Sequence, residues 1–183
     1  MSTKPRRKSI SILVISSLAP IAFAASPSEK QIELQKEGIE MIGQVADSAR
    51  DIRYQADRLK SFTRSIMISK WTHHHHLLEI KSLVNDGLQP ALQRLTEIQP
   101  QLPDWKQQSI DDMMVAAKAL AGDANSAILS KKDAGTVPPA LNSEYKDLVG
   151  KIYQHADTLV KTADAAMAYA SGLKTASKTA SAR

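Results

Sequence analysis

Apolar residues recur every three or four positions along most of the chain, with charged residues between them. The clearest example is the series Ile42, Val45, Ala49, Ile52, Ala56 and Leu59. This spacing keeps apolar side chains on one face of a helix. We therefore predict a first helix from about Ser28 to about Arg64. The run Ser26-Pro27-Ser28-Glu29 before it is typical of a capping-box start.

A second amphipathic pattern predicts a helix from about Lys70 to about Ile98. No Gly or Pro occurs between Gly43 and Gly87, so one continuous helix through both patterns is the alternative. We predict a break at 65–69, because Ser and β-branched residues make this the weakest helical stretch. Pro90 is expected to kink the second helix.

Two further helices follow, and Gly and Pro residues delimit them. Pro100 and Pro103 end the second helix, and Asp104 is expected to cap the third. Gly135 and the prolines after it form the longest loop, and Asn142 or Ser143 is expected to cap the fourth helix. His155 falls on the apolar face of that helix, which predicts a buried histidine.

Four helices joined by short loops predict an all-α fold, an up-down-up-down four-helix bundle. We assign residues 25–174 to this bundle and residues 175–183 to a frayed tail, which is small, polar and basic. Alanine dominates the apolar positions of the third and fourth helices. This predicts a close approach of those helices and a thin core.

The first 24 residues have the pattern of a signal peptide. A basic start without acidic residues precedes an apolar run of 15 residues from Ile10 to Ala24. A membrane-spanning helix needs about 20 apolar residues, which makes an N-terminal anchor the weaker interpretation. We predict cleavage near Ala24 or Ala25 and a periplasmic or secreted protein. No membrane insertion of the mature chain is expected.

Composition excludes several classes of site. The chain of 183 residues has no Cys, which excludes disulfides, thiol nucleophiles and thiolate metal sites. Its net charge of +5 suggests a nucleic-acid or anionic-membrane partner. Four of the 24 basic residues and none of the 19 acidic ones precede residue 25, however, so the mature chain is nearly neutral. Nucleic acid and anionic membranes are therefore not the expected partners.

The tract His73-His74-His75-His76 is the main candidate for metal chemistry, because imidazole binds Zn, Cu and Ni. On a helix, His73 and His76 lie one turn apart, and His75 can meet Glu79. These four residues form a candidate site for weak metal binding. The alternative is that His73 and His76 pack beside the apolar face.

Other site chemistry is sparse in the sequence. The chain has no hydrolase, metalloprotease or phosphate-loop motif and no Glu-x-x-His di-iron motif. We therefore expect neither an enzyme nor a bound cofactor. Trp71 and Trp105 both lie just inside predicted helix starts, where each covers the core or anchors a partner.

Scattered positions carry a family resemblance. They are His73, Leu77, Ile80, Lys81, Val84, Asn85, Trp105, Gln107, Ile110, Asp111, Glu144, Tyr145 and Tyr169. In these positions the chain resembles a group of uncharacterised exported bacterial helical proteins. The resemblance implies export and an all-helical fold, and it implies no reaction.

The leading functional hypothesis is an exported, non-catalytic bundle that binds a protein partner or a second copy of itself. Weak metal binding through the His tract is one alternative. A chaperone-like bundle that binds unfolded clients in the cell envelope is another. This last role requires an exposed apolar concave face, which the kink predicted at Pro90 could create.

Overall fold

The computed structural model describes residues 28–180. The predicted signal peptide and its cleavage point near Ala24 or Ala25 lie outside these residues. Within the described range, no helix combines the length and the apolar character needed to cross a membrane.

Helices account for nearly all of the described residues, and no strand occurs among them. The α-helices are α1 (Glu29–Phe62), α2 (Lys70–Ser82), α3 (Gln89–Ile98), α4 (Asp104–Asp133) and α5 (Ser143–Ala180). A π-helical segment, Leu83–Leu88, joins α2 to α3 without a break, so these two count as one long irregular helix. The predicted all-α four-helix fold is confirmed.

Side-chain pairs between neighbouring helices show the antiparallel packing. On α1 and α5, Arg50 pairs with Asp164 and Arg53 pairs with Asp157, so the partner number falls as the α1 number rises. Ser130 of α4 similarly bonds Glu144 at the start of α5. Helices α1 and α5 are therefore antiparallel neighbours, and α5 begins beside the end of α4.

Helix α1 follows its apolar pattern closely. Ser28 caps it, with the side chain accepting a hydrogen bond from the backbone N–H of Gln31 at 3.3 Å. The buried face includes the whole series predicted for it: Ile42, Val45, Ala49, Ile52, Ala56 and Leu59. The helix ends at Phe62, and Ser69 caps α2 by accepting from the N–H of Thr72. The predicted break between the first two helices is therefore present.

The irregularity of the second helix lies just before Pro90, in the π-helical segment. Pro90 has no N–H to donate to the preceding turn, which favours an irregular turn there. Gly87 within this segment lies against α1, where a Cβ would stand 2.6 Å from the Oγ of Ser48. Glycine therefore allows the close approach of this segment to α1 without displacing the Ser48 hydroxyl.

The two remaining helix starts differ in how they are capped. Asn142 caps α5, because its Oδ1 accepts a hydrogen bond from the N–H of Tyr145 at 3.1 Å. The prediction that Asp104 caps α4 is wrong. Pro103 occupies the cap position without a side-chain hydrogen bond, and Asp104 is the first helical residue. Gln107 instead donates to the carbonyl of Leu102 at 2.7 Å, which ties the first turn to the preceding loop.

The ends of α4 and α5 complete the fold. Gly135 follows α4 with a φ of 52°, a left-handed conformation that suits glycine after a helix end. Helix α5 continues to Ala180, so the first residues of the predicted tail extend this helix. Both helices bury alanines in the core: Ala116, Ala117, Ala124 and Ala127 on α4, and Ala156 and Ala163 on α5.

Candidate functional site

His73 lies in the core of the bundle and not on its surface. Its Nδ1 and the hydroxyl of Tyr145 share a hydrogen bond of 3.0 Å, and both side chains are fully buried. The Nε2 atom is also buried, and no described group bonds it. Burial lowers the pKa of His73 to about 4, with smaller contributions from the charges of Lys131 and His76. His73 is therefore a neutral core residue near pH 7.

The other predicted metal ligands form a patch beside the core. The Nδ1 of His76 lies 2.7 Å from the Oε1 of Gln55. The carboxylate of Glu79 lies 3.1 Å from His76 and 3.2 Å from His75. Burial also lowers the pKa of His76, and Glu79 opposes that shift.

These contacts separate His73 from the rest of the predicted metal site. Its ring is directed to Tyr145 on α5, whereas His75 and His76 both contact Glu79, and His76 is buried against Gln55 of α1. Across residues 28–180, no group of three or more His, Asp or Glu side chains is arranged to hold a metal ion.

The two tryptophans occupy different environments. Trp71 is 72% exposed and stacks on the ring of His75, with centroids 5.5 Å apart. Trp105 is half-buried and packs against Tyr169 with a centroid distance of 4.8 Å. Of the two predicted partner-binding residues, only Trp71 presents most of its surface to solvent.

The prediction that His155 is a buried core residue is wrong. Its side chain is half-buried, and its Nε2 lies 3.2 Å from the Oδ2 of Asp123 on α4. Ile152 and Ala156 occupy the buried positions of that helix turn. The apolar periodicity of α5 drifts by one position here, and the sequence does not show on which side of the drift a histidine falls.

An open apolar groove lies between the second helix, including α3, and α4. Its volume is about 550 Å³. Most of its exposed surface is apolar, and its lining comprises Val84, Leu88, Gln89, Leu92, Gln93, Thr96, Glu97, Met114, Ala117, Lys118 and Ala121. The groove is open to solvent along one side, so a ligand can enter it without any movement of the helices.

Two features of the sequence leave this groove open. Gly87 lets the π-helical segment lie against Ser48 of α1, on the far side of the second helix from α4. On α4, the positions that face the gap include Ala117 and Ala121, whose methyl groups are too short to fill it. At one end, Gln99 closes the gap by donating to the Oδ1 of Asp111 at 2.7 Å.

Sequence reasoning did not identify the groove residues. It related a concave face to the kink predicted at Pro90, and the groove does begin beside the π-helical segment that precedes Pro90. The signal available in the sequence was the combination of Gly87, Pro90 and the small residues of α4. That combination becomes informative only when the pairing of α3 with α4 is known.

Comparison with known proteins supplies no further information about the site. No family model, no curated protein and no solved structure matches the chain. The chemistry of the groove and of the surface is therefore the basis for the proposed function.

Proposed function

We propose that this protein is an exported, non-catalytic helical bundle that binds an apolar segment of another polypeptide in the groove between α3 and α4. The observation that carries the proposal is the open, apolar groove of about 550 Å³. Ligand-binding clefts of proteins generally have volumes of about 300–1,000 Å³. The sequence of residues 1–24 supports the exported location, in the periplasm or outside the cell.

The lining of the groove favours a polypeptide over a small polar ligand. Its floor is aliphatic, with Leu88 and Leu92 facing Met114, and a methionine adapts to differently shaped apolar side chains. Amide and hydroxyl groups and one charge of each sign lie along its edges. An apolar floor with polar edges is the surface onto which amphipathic helices dock.

A chaperone-like role fits the same chemistry. A groove with one acidic and one basic edge residue, Glu97 and Lys118, selects weakly by charge. Flexible apolar surfaces of this kind bind several partners. We infer that the occupant is an apolar segment exposed by an unfolded or partly assembled exported protein.

Aggregation of the insulin B chain tests this proposal. Dithiothreitol releases the B chain from insulin, and the reductant cannot alter a protein that has no Cys. We expect stoichiometric amounts of the protein to suppress light scattering by the aggregating chain. Absence of suppression at a several-fold excess over insulin would contradict the proposal.

A matched pair of variants locates the activity in the groove. Ala121→Trp places an indole in the gap, whereas Val115→Trp adds the same ring at an exposed position of the same helix. Suppression should be lost in Ala121→Trp and retained in Val115→Trp. Equal suppression of aggregation by both variants, with native circular dichroism, would show that the binding site lies outside the groove.

Weak metal binding is the second candidate function. It rests on one observation: the carboxylate of Glu79 lies within 3.2 Å of both His75 and His76, which offers a metal ion only an incomplete set of ligands among the described residues. Titration calorimetry with Zn²⁺ at micromolar concentrations tests it, with Glu79→Gln as the variant that should abolish binding. No heat of binding in the native protein would reject this function.

A further inference from the structure

Two loops meet at one end of the bundle, and together with the adjoining helix turns they form a surface that we call the tip (residues 60–73 and 130–146). The ammonium of Lys70 on the first segment contacts the carbonyl of Gly135 on the second. Lys131 lies near enough to Lys70 for the charge of Lys70 to add to the lowering of its pKa, which burial dominates. The two segments are therefore one continuous surface.

The tip exposes large apolar side chains on both of its segments. Met67 is 86% exposed, which is the largest value among the exposed large apolar residues of the described chain. The set comprises Ile66, Met67, Trp71, Val137 and Leu141. Single exposed apolar residues are common, but a group of this kind at one place marks an interaction surface.

The tip also carries an excess of positive charge. The two segments contain six basic residues and two acidic ones. One of the two acidic side chains, Glu144, accepts a hydrogen bond from the half-buried hydroxyl of Ser130 at 3.0 Å. The basic residues are Lys60, Arg64, Lys70, Lys131, Lys132 and Lys146.

These cations differ from three arginines elsewhere on the bundle. Arg50, Arg53 and Arg94 each pair with a carboxylate on another helix. None of the six basic residues of the tip forms an ion pair with a carboxylate of residues 28–180. Lys60 lies over the ring of Tyr153 and Lys70 contacts the carbonyl of Gly135, so the charge of the tip is held by neutral groups and is not cancelled by a carboxylate.

We propose that the tip docks the protein onto a membrane surface that contains anionic lipids. Lysine and arginine near such a surface are attracted to the lipid headgroups. Trp71 has the amphipathic ring that is enriched at membrane–water interfaces, and the aliphatic side chains of Ile66, Met67 and Leu141 can enter the acyl boundary. The docked bundle does not cross the bilayer.

Charge and side-chain type favour this occupant over two others. Two copies of the chain that met tip to tip would bring like charges together, which opposes a symmetric dimer at this surface. Single-stranded nucleic acid is bound by aromatic platforms on which bases stack. The exposed apolar residues of the tip are aliphatic except for Trp71.

Total charge alone does not predict a basic surface on this protein. The mature chain has 20 basic and 19 acidic residues, so its near neutrality gives no reason to expect an anionic surface as a partner. The fold, however, brings together two segments 57 or more residues apart, in which basic residues predominate. Segregation of charge, and not its sum, produces the basic tip.

Vesicle binding with a fluorescence readout tests the proposal. Protein from the exported fraction, carrying Trp105→Phe so that Trp71 is the only indole, is mixed with phosphatidylcholine vesicles with or without phosphatidylglycerol. We expect binding to the anionic vesicles only, with a blue shift of Trp71 emission and quenching by brominated acyl chains. High salt should weaken binding at least tenfold. Equal binding to neutral vesicles would overturn the proposal.

Tip variants complete the test. Met67→Ser with Leu141→Ser should lower binding to anionic vesicles at least tenfold, and Arg64→Gln with Lys132→Gln should do the same. Val115→Ser, at an exposed apolar position on α4 outside the tip, is the control and should bind as the native protein does. Unchanged binding of both double variants would overturn the proposal, and so would a dimer in solution that the tip variants dissociate.

Discussion

The two ends of the bundle use the same kinds of residue in opposite ways. At the end opposite the tip, which we call the base (residues 28–40 and 94–112), Arg94 pairs with Glu37 and Glu97, and Gln99 bonds Asp111. At the tip, the cations have no described carboxylate partner. Arg94 of the base is therefore paired with carboxylates within the chain, whereas the tip cations have none.

The interior of the molecule shows the reverse arrangement. Under the tip, the core contains the buried polar pair of His73 and Tyr145, bonded at 3.0 Å. At the base, the half-buried ring of Trp105 packs on Tyr169, which remains largely exposed. We infer that the tip combines a buried polar contact with surface cations that lack a carboxylate partner, while the base combines a paired surface arginine with a partly exposed aromatic contact.

Removal of Tyr145 should have the largest effect on stability. The side chain is fully buried, so Tyr145→Ala leaves a cavity and an unpaired His73 Nδ1, with an expected loss of about 3–5 kcal/mol in the free energy of unfolding. Tyr169→Ala at the base removes the same group from an exposed site and should cost far less. Urea denaturation followed by circular dichroism measures both. Similar losses of unfolding free energy in the two variants would mean that the core under the tip and the core at the base do not differ in this way.

Acid should destabilise the tip through His73. Its pKa is about 4 in the folded protein and about 6.5 in the unfolded chain, so the unfolded state binds the proton first as the pH falls. Stability is therefore fully present above pH 6.5 and lost between pH 6.5 and 4. The expected loss is about 3 kcal/mol, since each pKa unit corresponds to about 1.4 kcal/mol.

Two glutamine variants isolate this contribution. His73→Gln keeps a polar group near Tyr145 but cannot titrate, so its free energy of unfolding should fall less steeply over this pH range. His75→Gln changes an exposed ring and should retain the acid sensitivity of the native protein. Urea denaturation at several pH values provides the comparison. Parallel curves for the native protein and His73→Gln would assign the acid sensitivity to other groups.

Local pattern was sufficient to predict the fold. The spacing of Ile42, Val45 and Ala49 determines one buried face of α1, and the side chain of Asn142 caps α5 as its sequence position suggested. Both depend on residues within one or two helix turns of each other. The cap at Asp104 was mispredicted because Pro103 already supplies the extended backbone that precedes the helix.

The candidate sites were harder to predict because each depends on pairing between distant segments. His73 and His76 are buried because Tyr145 and Gln55, from α5 and α1, complete their surroundings. The groove requires α3 to face the small residues of α4. The tip requires loops that are more than 50 residues apart in the sequence to meet. Periodicity describes a helix face but does not identify what lies opposite it.

Neutralising one cation at each end of the bundle should give the smallest change in stability. It tests the difference between the base and the tip most directly. Arg94→Gln breaks hydrogen bonds to two carboxylates, which hold the pKa of Arg94 above its ordinary value, so the unfolding midpoint should fall slightly. High salt should reduce the difference from the native protein, since these groups are exposed. Lys132→Gln should leave the midpoint unchanged or raise it, because it removes repulsion among the tip cations. Equal decreases for both variants would mean that the tip cations stabilise the bundle and are not reserved for a partner.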